Sequence, residues 1–426
     1  MKENKHLIPM LIVFFFISIL PIGVLANDQE IYKEPINEAP KNLSQAEYMQ
    51  GKYQHTIEKT MIDAFGSFER FEEFGVIYYV NEPEPKVVFG FKQNDVNIEL
   101  FRNHLEEAIP EQFLIIKDVE YTAADLTTIM GEIEQDLSQY GVKEYGLSRD
   151  DENQRIELNI ESISDDLEKE LKEKYGSTLN IVFVQGFGDF LISRTQDLNN
   201  LGAGIGVRDL NNNVCSTAGT GFKYNPSVGK NYYYILTAGH CFKSINSLVY
   251  QYSQIVGRNH HSAFNAGYDF GLVRITDDNT LPYGRYATND LFQYAENSSY
   301  YDAKINNWGH AVQNAIVRKS GITTNVTSGK VEASYYQFTT NEGTFYGARV
   351  KNSDGTTFAK DGDSGAIVYN WNSNSSEYWA YGLVSAKING TSDIFISRMS
   401  DLIIYYSDSN NTFNLKTTNT PVKVTN

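Results

Sequence analysis

The chain is short of cysteine, of histidine, of basic residues to balance the acids of its first half and, after residue 20, of long apolar runs. Each shortage excludes something. Two cysteines, Cys215 and Cys241, allow at most one disulfide. No later run reaches the roughly 20 apolar residues of a spanning helix, so nothing beyond the N-terminus is expected in a membrane. Residues 1–200 hold 18 basic and 37 acidic side chains, while residues 201–426 hold 18 and 16, for nets of −19 and +2. An acidic half lacks the basic surface that phosphate binding needs, which excludes nucleic acid as an expected partner.

What is present begins with "MKENKHLIPMLIVFFFISILPIGVLA", in which Lys2 and Lys5 precede an apolar stretch and small residues follow at Val24 and Ala26. The stretch is short for a membrane anchor and fits a secretory signal peptide, residues 1–26, removed after Ala26. The mature chain is expected to be secreted, extracellular and clear of the membrane. In an exported chain an even cysteine count reads as a Cys215–Cys241 bridge, the other reading being two free buried thiols. The remaining 400 residues exceed one ordinary core, so two or three domains are expected.

Residues 27–200 read as an acidic α+β region. In "KVVFGFKQNDVNIELFRNHLEEAIPEQFLIIKDVEYT" a strand at 87–91 leads into a helix with Ile98, Phe101 and Leu105 on one face, then into a second apolar run at 113–116. The order recurs in "RIELNIESISDDLEKELKEKYGSTLNIVFVQG", where Ile156, Leu158 and Ile160 alternate, Ile163, Leu167 and Leu171 repeat every four residues, and Gly176 suits a left-handed cap. Two strand-helix-strand units indicate an internal duplication. His104, on the first of these helices, is expected to be exposed. After about residue 200, short Tyr-, Thr- and Val-rich runs alternate with turn clusters, and helical periodicity returns only at "SDLIIYYSD"; this is an all-β texture.

A serine stands in "FAKDGDSGAIVYN" just before an apolar strand. A hydroxyl is a poor nucleophile without a base to take its proton and a group to hold that base, and the attacked carbonyl needs donors for its developing oxyanion. Gly362 lets the backbone turn so that its own N–H and that of Ser364 converge, and Gly365 lets the chain leave as tightly. The β half offers only His240, His260, His261 and His310 as bases. "YYYILTAGHC" delivers His240 at a strand end beside Cys241; His260 and His261 read as loop residues and His310 as structural. "AGYDFGLVRI" sets Asp269 in an apolar segment, where a carboxylate needs a partner, whereas Asp277 and Asp278 read as a solvated turn.

"LTAGHC", "YDFGLVRI" and "GDSGA", in the order His, Asp, Ser, resemble the chymotrypsin-like serine proteases, especially the secreted bacterial branch of α-lytic protease and the streptogrisins. The resemblance covers about residues 201–405, and a signal peptide with a long pro-region is similar to that branch too. It implies two perpendicular antiparallel six-stranded β-barrels, at about 201–290 and 291–400, with Ser364 as nucleophile, His240 as base and then acid, and Asp269 as orienting carboxylate. Gly362 and Ser364 would supply the oxyanion hole. Phe358, Ala359, Ser385, Ala386 and Lys387 would bind substrate, with Ser385 near the buried Asp269. Residues 27–200 would act as pro-region, folding assistant and inhibitor of the 201–426 protease domain, released by a cut at 195–201. A monomeric endopeptidase acting on polypeptides, with no cofactor and no metal, is implied.

Departures from the family pattern leave the preferred substrate side chain open. Ala366 replaces a second glycine, no cysteine follows Cys241 to brace the specificity pocket, Phe358 stands where trypsin-like members carry Asp, and Val384 where glutamate-cutting relatives carry His. Lys387 reads as solvent-facing. A calcium loop at Asp361 and Asp363 lacks further ligands in register, and an esterase elbow would need G-x-S-x-G with its partners in another order. The remaining alternative is a protease-like binding or host-interaction protein without turnover.

Overall fold

The computed structural model describes residues 43–426 except 93–95, 143–144, 184–197, 265, 277–284, 293–300, 353–356, 389–390, 410 and 425–426. The signal-peptide reading, the Asp277 and Asp278 turn and residues 195–197 of the expected cleavage segment therefore lie outside the described residues.

The acidic half contains the duplication in fuller form than the sequence periodicity gives. Helices α1 (Gln45–Phe65) and α2 (Phe68–Phe71) lead to strands β1 (Gly75–Val80) and β2 (Lys86–Phe91), helix α3 (Val96–Ala108) and strand β3 (Leu114–Asp118). Helix α4 (Ala123–Gln139), strands β4 (Tyr145–Asp150) and β5 (Arg155–Ile160), helix α5 (Asp165–Tyr175) and strand β6 (Leu179–Phe183) repeat that order. In both units the first two strands form an antiparallel hairpin and the third returns parallel to the second. The expected strand-helix-strand core is thus preceded by a hairpin partner, β1 or β4. Capping boxes start α1 (Ser44 with Glu47) and α4 (Thr122 with Asp125), each satisfying amide donors that a helix leaves unpaired. Gly176 ends α5 at φ +55°, ψ −129°, a positive φ but not the left-handed helical cap expected from the sequence. His104 is exposed on α3.

From Asn200 the chain is built of strands. β7 (Asn200–Arg208), β8 (Val214–Asn225), β9 (Lys230–Thr237), β10 (Leu248–Gln251), β11 (Gln254–Ser262) and β12 (Gly271–Ile275) pair in the ring β7-β8-β9-β12-β11-β10 and back to β7. Two linking strands follow, β13 (Tyr286–Leu291), parallel to β7, and β14 (Ala303–Trp308). The second ring consists of β15 (Ile316–Gly321), β16 (Asn325–Thr340), β17 (Gly343–Asn352), β18 (Ile367–Asn372), β19 (Glu377–Lys387) and β20 (Ile394–Arg398), paired β15-β16-β17-β20-β19-β18 and back to β15. β14 runs parallel to β19, so the linker strands belong to neither ring and join one to the other. Helix α6 (Met399–Tyr406) follows, and strands β21 (Phe413–Leu415) and β22 (Val422–Lys423) lay the C-terminal segment on β8 and β13 of the first barrel side. His260 and His261 lie on β11, not in a loop as their sequence context suggested.

The acidic half packs on the second barrel. One apolar core contains Met49, Ile57 and Phe65 of α1 together with Val317, Val368 and Ile396 of that barrel. β4 pairs with β16, Tyr145 opposite Thr339 and Ser148 opposite Tyr336, so the hairpin sheet of the second unit continues the barrel sheet. Gly51 of α1 sits so close to the Trp371 carbonyl that a Cβ there would overlap it. Arg318 pairs with Glu47 at 2.9 Å and Arg349 with Glu157 at 2.7 Å across the same contact.

Candidate active site

His240 follows β9 in a short 3-10 turn whose neighbour Cys241 is bridged to Cys215 on β8, S–S 2.03 Å. The backbone N–H of His240 donates to Asp269 Oδ1 at 2.8 Å, and its ring Nδ1 lies 2.8 Å from Asp269 Oδ2. One carboxylate therefore fixes both the backbone and the ring. Because a carboxylate only accepts, Nδ1 carries the hydrogen in the neutral ring and Nε2 keeps its lone pair. Asp269 is buried just before β12, and its own carbonyl accepts from Ser397 Oγ at 3.3 Å and Ser385 Oγ at 3.4 Å. The partner that its apolar setting demanded is thus His240, and Ser385 stands near it as expected.

Ser364 lies in the turn before β18, between Gly362 at φ +87° and Gly365 at φ +82°. A Cβ at Gly365 would overlap the Ser216 carbonyl and the Thr237 hydroxyl, so only glycine fits. Ser216, on β8 of the first barrel, draws the turn across: its N–H donates to the Ser364 carbonyl and its Oγ to the Gly362 carbonyl, both at 2.7 Å. With those carbonyls turned toward Ser216, the Gly362 and Ser364 N–H groups donate to no protein acceptor among the described residues, although both residues are buried. Two unpartnered backbone donors, one on each side of Asp363 and both in buried residues, are unusual, since buried backbone groups are nearly always paired.

The intervening Asp363 is fully buried. Its carboxylate accepts from Lys319 Nζ at 3.2 Å, Thr324 Oγ1 at 2.6 Å, and the N–H groups of Thr323 and Lys360 at 2.8 and 3.0 Å. Lys319 on β15 is itself fully buried. Both charges are therefore compensated inside the protein, and the turn is tied to β15 from one side and to β8 from the other.

His240, Asp269, Ser364, Ser385 and Ala386 open on one cavity of about 840 Å³. Ala359 and Lys387 border a second cavity of about 10 Å³, which Ser364, Ser385 and Ala386 also touch. Phe358 lines neither: its side chain is fully buried, with its ring against Gly329, and its carbonyl accepts from Thr327 Oγ1 at 2.6 Å. Lys387 is exposed. His260 is exposed on β11 with its ring beside Tyr234, and His310 stacks on Phe68 at 4.3 Å, so neither joins the site. Sequence reading missed Ser216, Ser397 and Lys319. A lysine amid the buried positions of "IVRKSG" is the one signal that was available, because a buried lysine requires a counter-charge.

No family model matches the chain, and no curated protein matches it. Among solved structures, Nocardiopsis protease (NAPase) is similar at 24% identity, with 50% of this chain and 99% of that one covered and a TM-score of 0.38. Thermobifida fusca protease A is similar at 22% identity over 51% and 99%, TM-score 0.38. A glutamic acid specific serine protease that utilizes a novel histidine triad in substrate binding is similar at 24% over 49% and 98%, TM-score 0.36. The two-barrel chymotrypsin-like fold of this chain stands on its strand pairing, and its functional reading on the geometry of the site.

Proposed function

We propose that the chain is a secreted serine endopeptidase, made with a signal peptide at residues 1–26, a pro-region at 27–200 and a protease domain at 201–426. His240 Nε2 takes the Ser364 hydroxyl proton as Oγ attacks a peptide carbonyl. The Gly362 and Ser364 N–H groups receive the oxyanion. Collapse breaks the C–N bond, with His240 returning the proton to the leaving amine, and water then hydrolyses the acyl-enzyme by the same path. Asp269 holds the imidazole tautomer and stabilises the imidazolium. The observation that carries this reading is the pair of unpartnered N–H groups flanking Asp363 at the serine, with Ser364 lining the same cleft as the His240–Asp269 pair.

The pro-region reading is supported by the core that α1 shares with the second barrel and by the β4–β16 pairing. A cut before Leu198 fits the anchoring of the following chain: Leu198 N–H donates to Gln251 Oε1 at 2.7 Å and its carbonyl accepts from Arg285 Nη1. The test is fluorophosphonate labelling and casein cleavage by the whole chain and by Ser364→Ala. Labelling of the natural chain alone, with cleavage reduced on the order of 10⁶-fold in the variant, is the expected result. A processed, folded natural chain that neither labels nor cleaves would return the reading to a protease-like binding protein.

A further inference from the structure

We infer that, on the protease reading above, the cleft selects a small residue at the carbonyl that is attacked and a bulky apolar residue immediately before it in the substrate. The two cavities at Ser364 differ about eighty-fold in size, about 10 against 840 Å³, and Ser364, Ser385 and Ala386 border both. Anything bound across Ala386 therefore has a small space on one side and a large one on the other.

The end of β19 offers a way to bind there. Ala386 and Lys387 pair with β20 along one edge, and on the other edge pairing stops at Val384, which exchanges hydrogen bonds with Gly365 and Ala366 at 2.7 and 2.9 Å. Among the described residues no strand occupies the free edge beyond, so an extended peptide can add to it. With its carbonyl oxygen on the Gly362 and Ser364 N–H groups, the residue being attacked lies beside Ala359 and Ser385. Its side chain faces the small cavity, which Val384 and Ile394, both almost wholly buried, help to fill. About 10 Å³ of room for a water-sized sphere is close to the roughly 10–15 Å³ that a single water needs. A methyl group, not a ring or a long chain, suits that space.

Side chains along an extended strand alternate between faces. The preceding residue then points away from the small cavity and into the large one, toward His240. Its wall is aromatic: Phe264 stands edge-on to His240 with ring centres 6.0 Å apart, Phe345 lies 5.0 Å from Phe264, and Phe338 lies 5.6 Å from Phe395. Among the described residues the cation over this wall is Lys243, 4.7 Å from Phe264; it is paired with Glu342 at 2.9 Å, so an acidic side chain gains little there. Ring-to-ring contact favours a bulky apolar or aromatic occupant.

The experiment measures kcat/KM of the whole chain on three blocked p-nitroanilides ending in Phe-Ala, Ala-Ala and Ala-Phe, alongside fluorophosphonate labelling of Ser364. Phe-Ala is expected to exceed Ala-Ala by about tenfold or more, and Ala-Phe to be the poorest. Phe345→Ala should narrow the Phe-Ala over Ala-Ala gap to about threefold or less, and Ile394→Ala should raise Ala-Phe alone by about tenfold. A chain that labels but cleaves Ala-Phe at least as well as Phe-Ala overturns this inference and leaves the protease reading intact. A folded chain that has been cut near residue 198 and still neither labels nor cleaves overturns both. The natural chain's three-substrate ranking decides the matter even where a variant fails to fold.

Discussion

The two barrels each contribute part of the candidate site, yet they are braced by different means. The first, with His240 and Asp269, carries the Cys215–Cys241 bridge and is wrapped by the chain's own C-terminal strands β21 and β22. The second, with Ser364, contains no cysteine. Its support is non-covalent: the Lys319–Asp363 pair inside, and outside it the α1 core and the β4–β16 pairing contributed by the acidic half. The barrel that carries Ser364 is thus the one that leans on residues 43–183. A pro-region needed for folding would have to act on that barrel, which is where the contacts are.

The strongest way to break this comparison is to express residues 198–426 alone. Removing the acidic half uncovers a shared core in which each fully buried large apolar side chain contributes about 1.5–3 kcal/mol, against a net stability of about 5–15 kcal/mol for an ordinary protein. Hydrogen exchange should find residues 316–398 unprotected while residues 200–275 keep much of their protection. Equal protection of both barrels would show that the second stands without help.

Two substitutions sharpen the contrast from inside each barrel. Lys319→Met leaves the Asp363 carboxylate buried without its counter-charge, a change that costs about 3–5 kcal/mol. Fluorophosphonate labelling of Ser364 should slow as well, and Lys319→Arg should restore part of it, because the carboxylate ties down the turn whose amides face the cleft. Replacing both Cys215 and Cys241 with Ala releases a closed loop spanning 26 positions and should lower stability by about 3–4 kcal/mol in the chain-entropy treatment. Here the loss should appear in the first barrel, read as faster exchange at residues 200–275 with residues 316–398 unchanged.

How much of this was legible beforehand depended on whether the cause was local. His240, Asp269 and Ser364 were visible because each sits at a strand end or tight turn whose small and apolar neighbours are adjacent in sequence. β9, β12 and α6 followed from their patterns for the same reason. β1 and β4 were not assigned, since "GVIYYV" is buried nearly throughout and "YGLSRD" owes its burial partly to β16, almost 190 residues later. Ser216 gave no signal, because an isolated serine in a strand acquires its role only when a turn nearly 150 residues away packs against it. Phe358 was misplaced for a related reason: its position before Ser364 suggested the cleft, but its apolar ring found the core first.

The smallest expected effect concerns charge at the contact between the acidic half and the second barrel. Glu58 on α1 accepts from Gln54 Nε2 at 3.0 Å and from the His310 N–H at 3.3 Å, and burial pushes its carboxyl above the usual value, with His310 and His55 opposing the shift. Glu69, 3.6 Å from His310 Nε2, is instead held down to about 2, chiefly by its hydrogen bond from His310. The signs are opposite. A raised carboxyl favours the folded state while protonated, so the Glu58 contribution is complete below 4.5 and fades as pH rises through its elevated value. The Glu69 contribution is present above 4.5 and is lost only as pH falls toward 2, and because that side chain is largely exposed it is weakened further by solvent. Glu58→Gln keeps the acceptor oxygen and removes the titration. Urea midpoints of the whole chain, taken from pH 4 to pH 8, should coincide for the two proteins at the acid end and separate as pH rises, with the variant the more stable. Parallel curves would mean that the carboxyl reaches water, and that the acidic half holds the second barrel through its apolar core and paired strands without a pH-sensitive contact at Glu58.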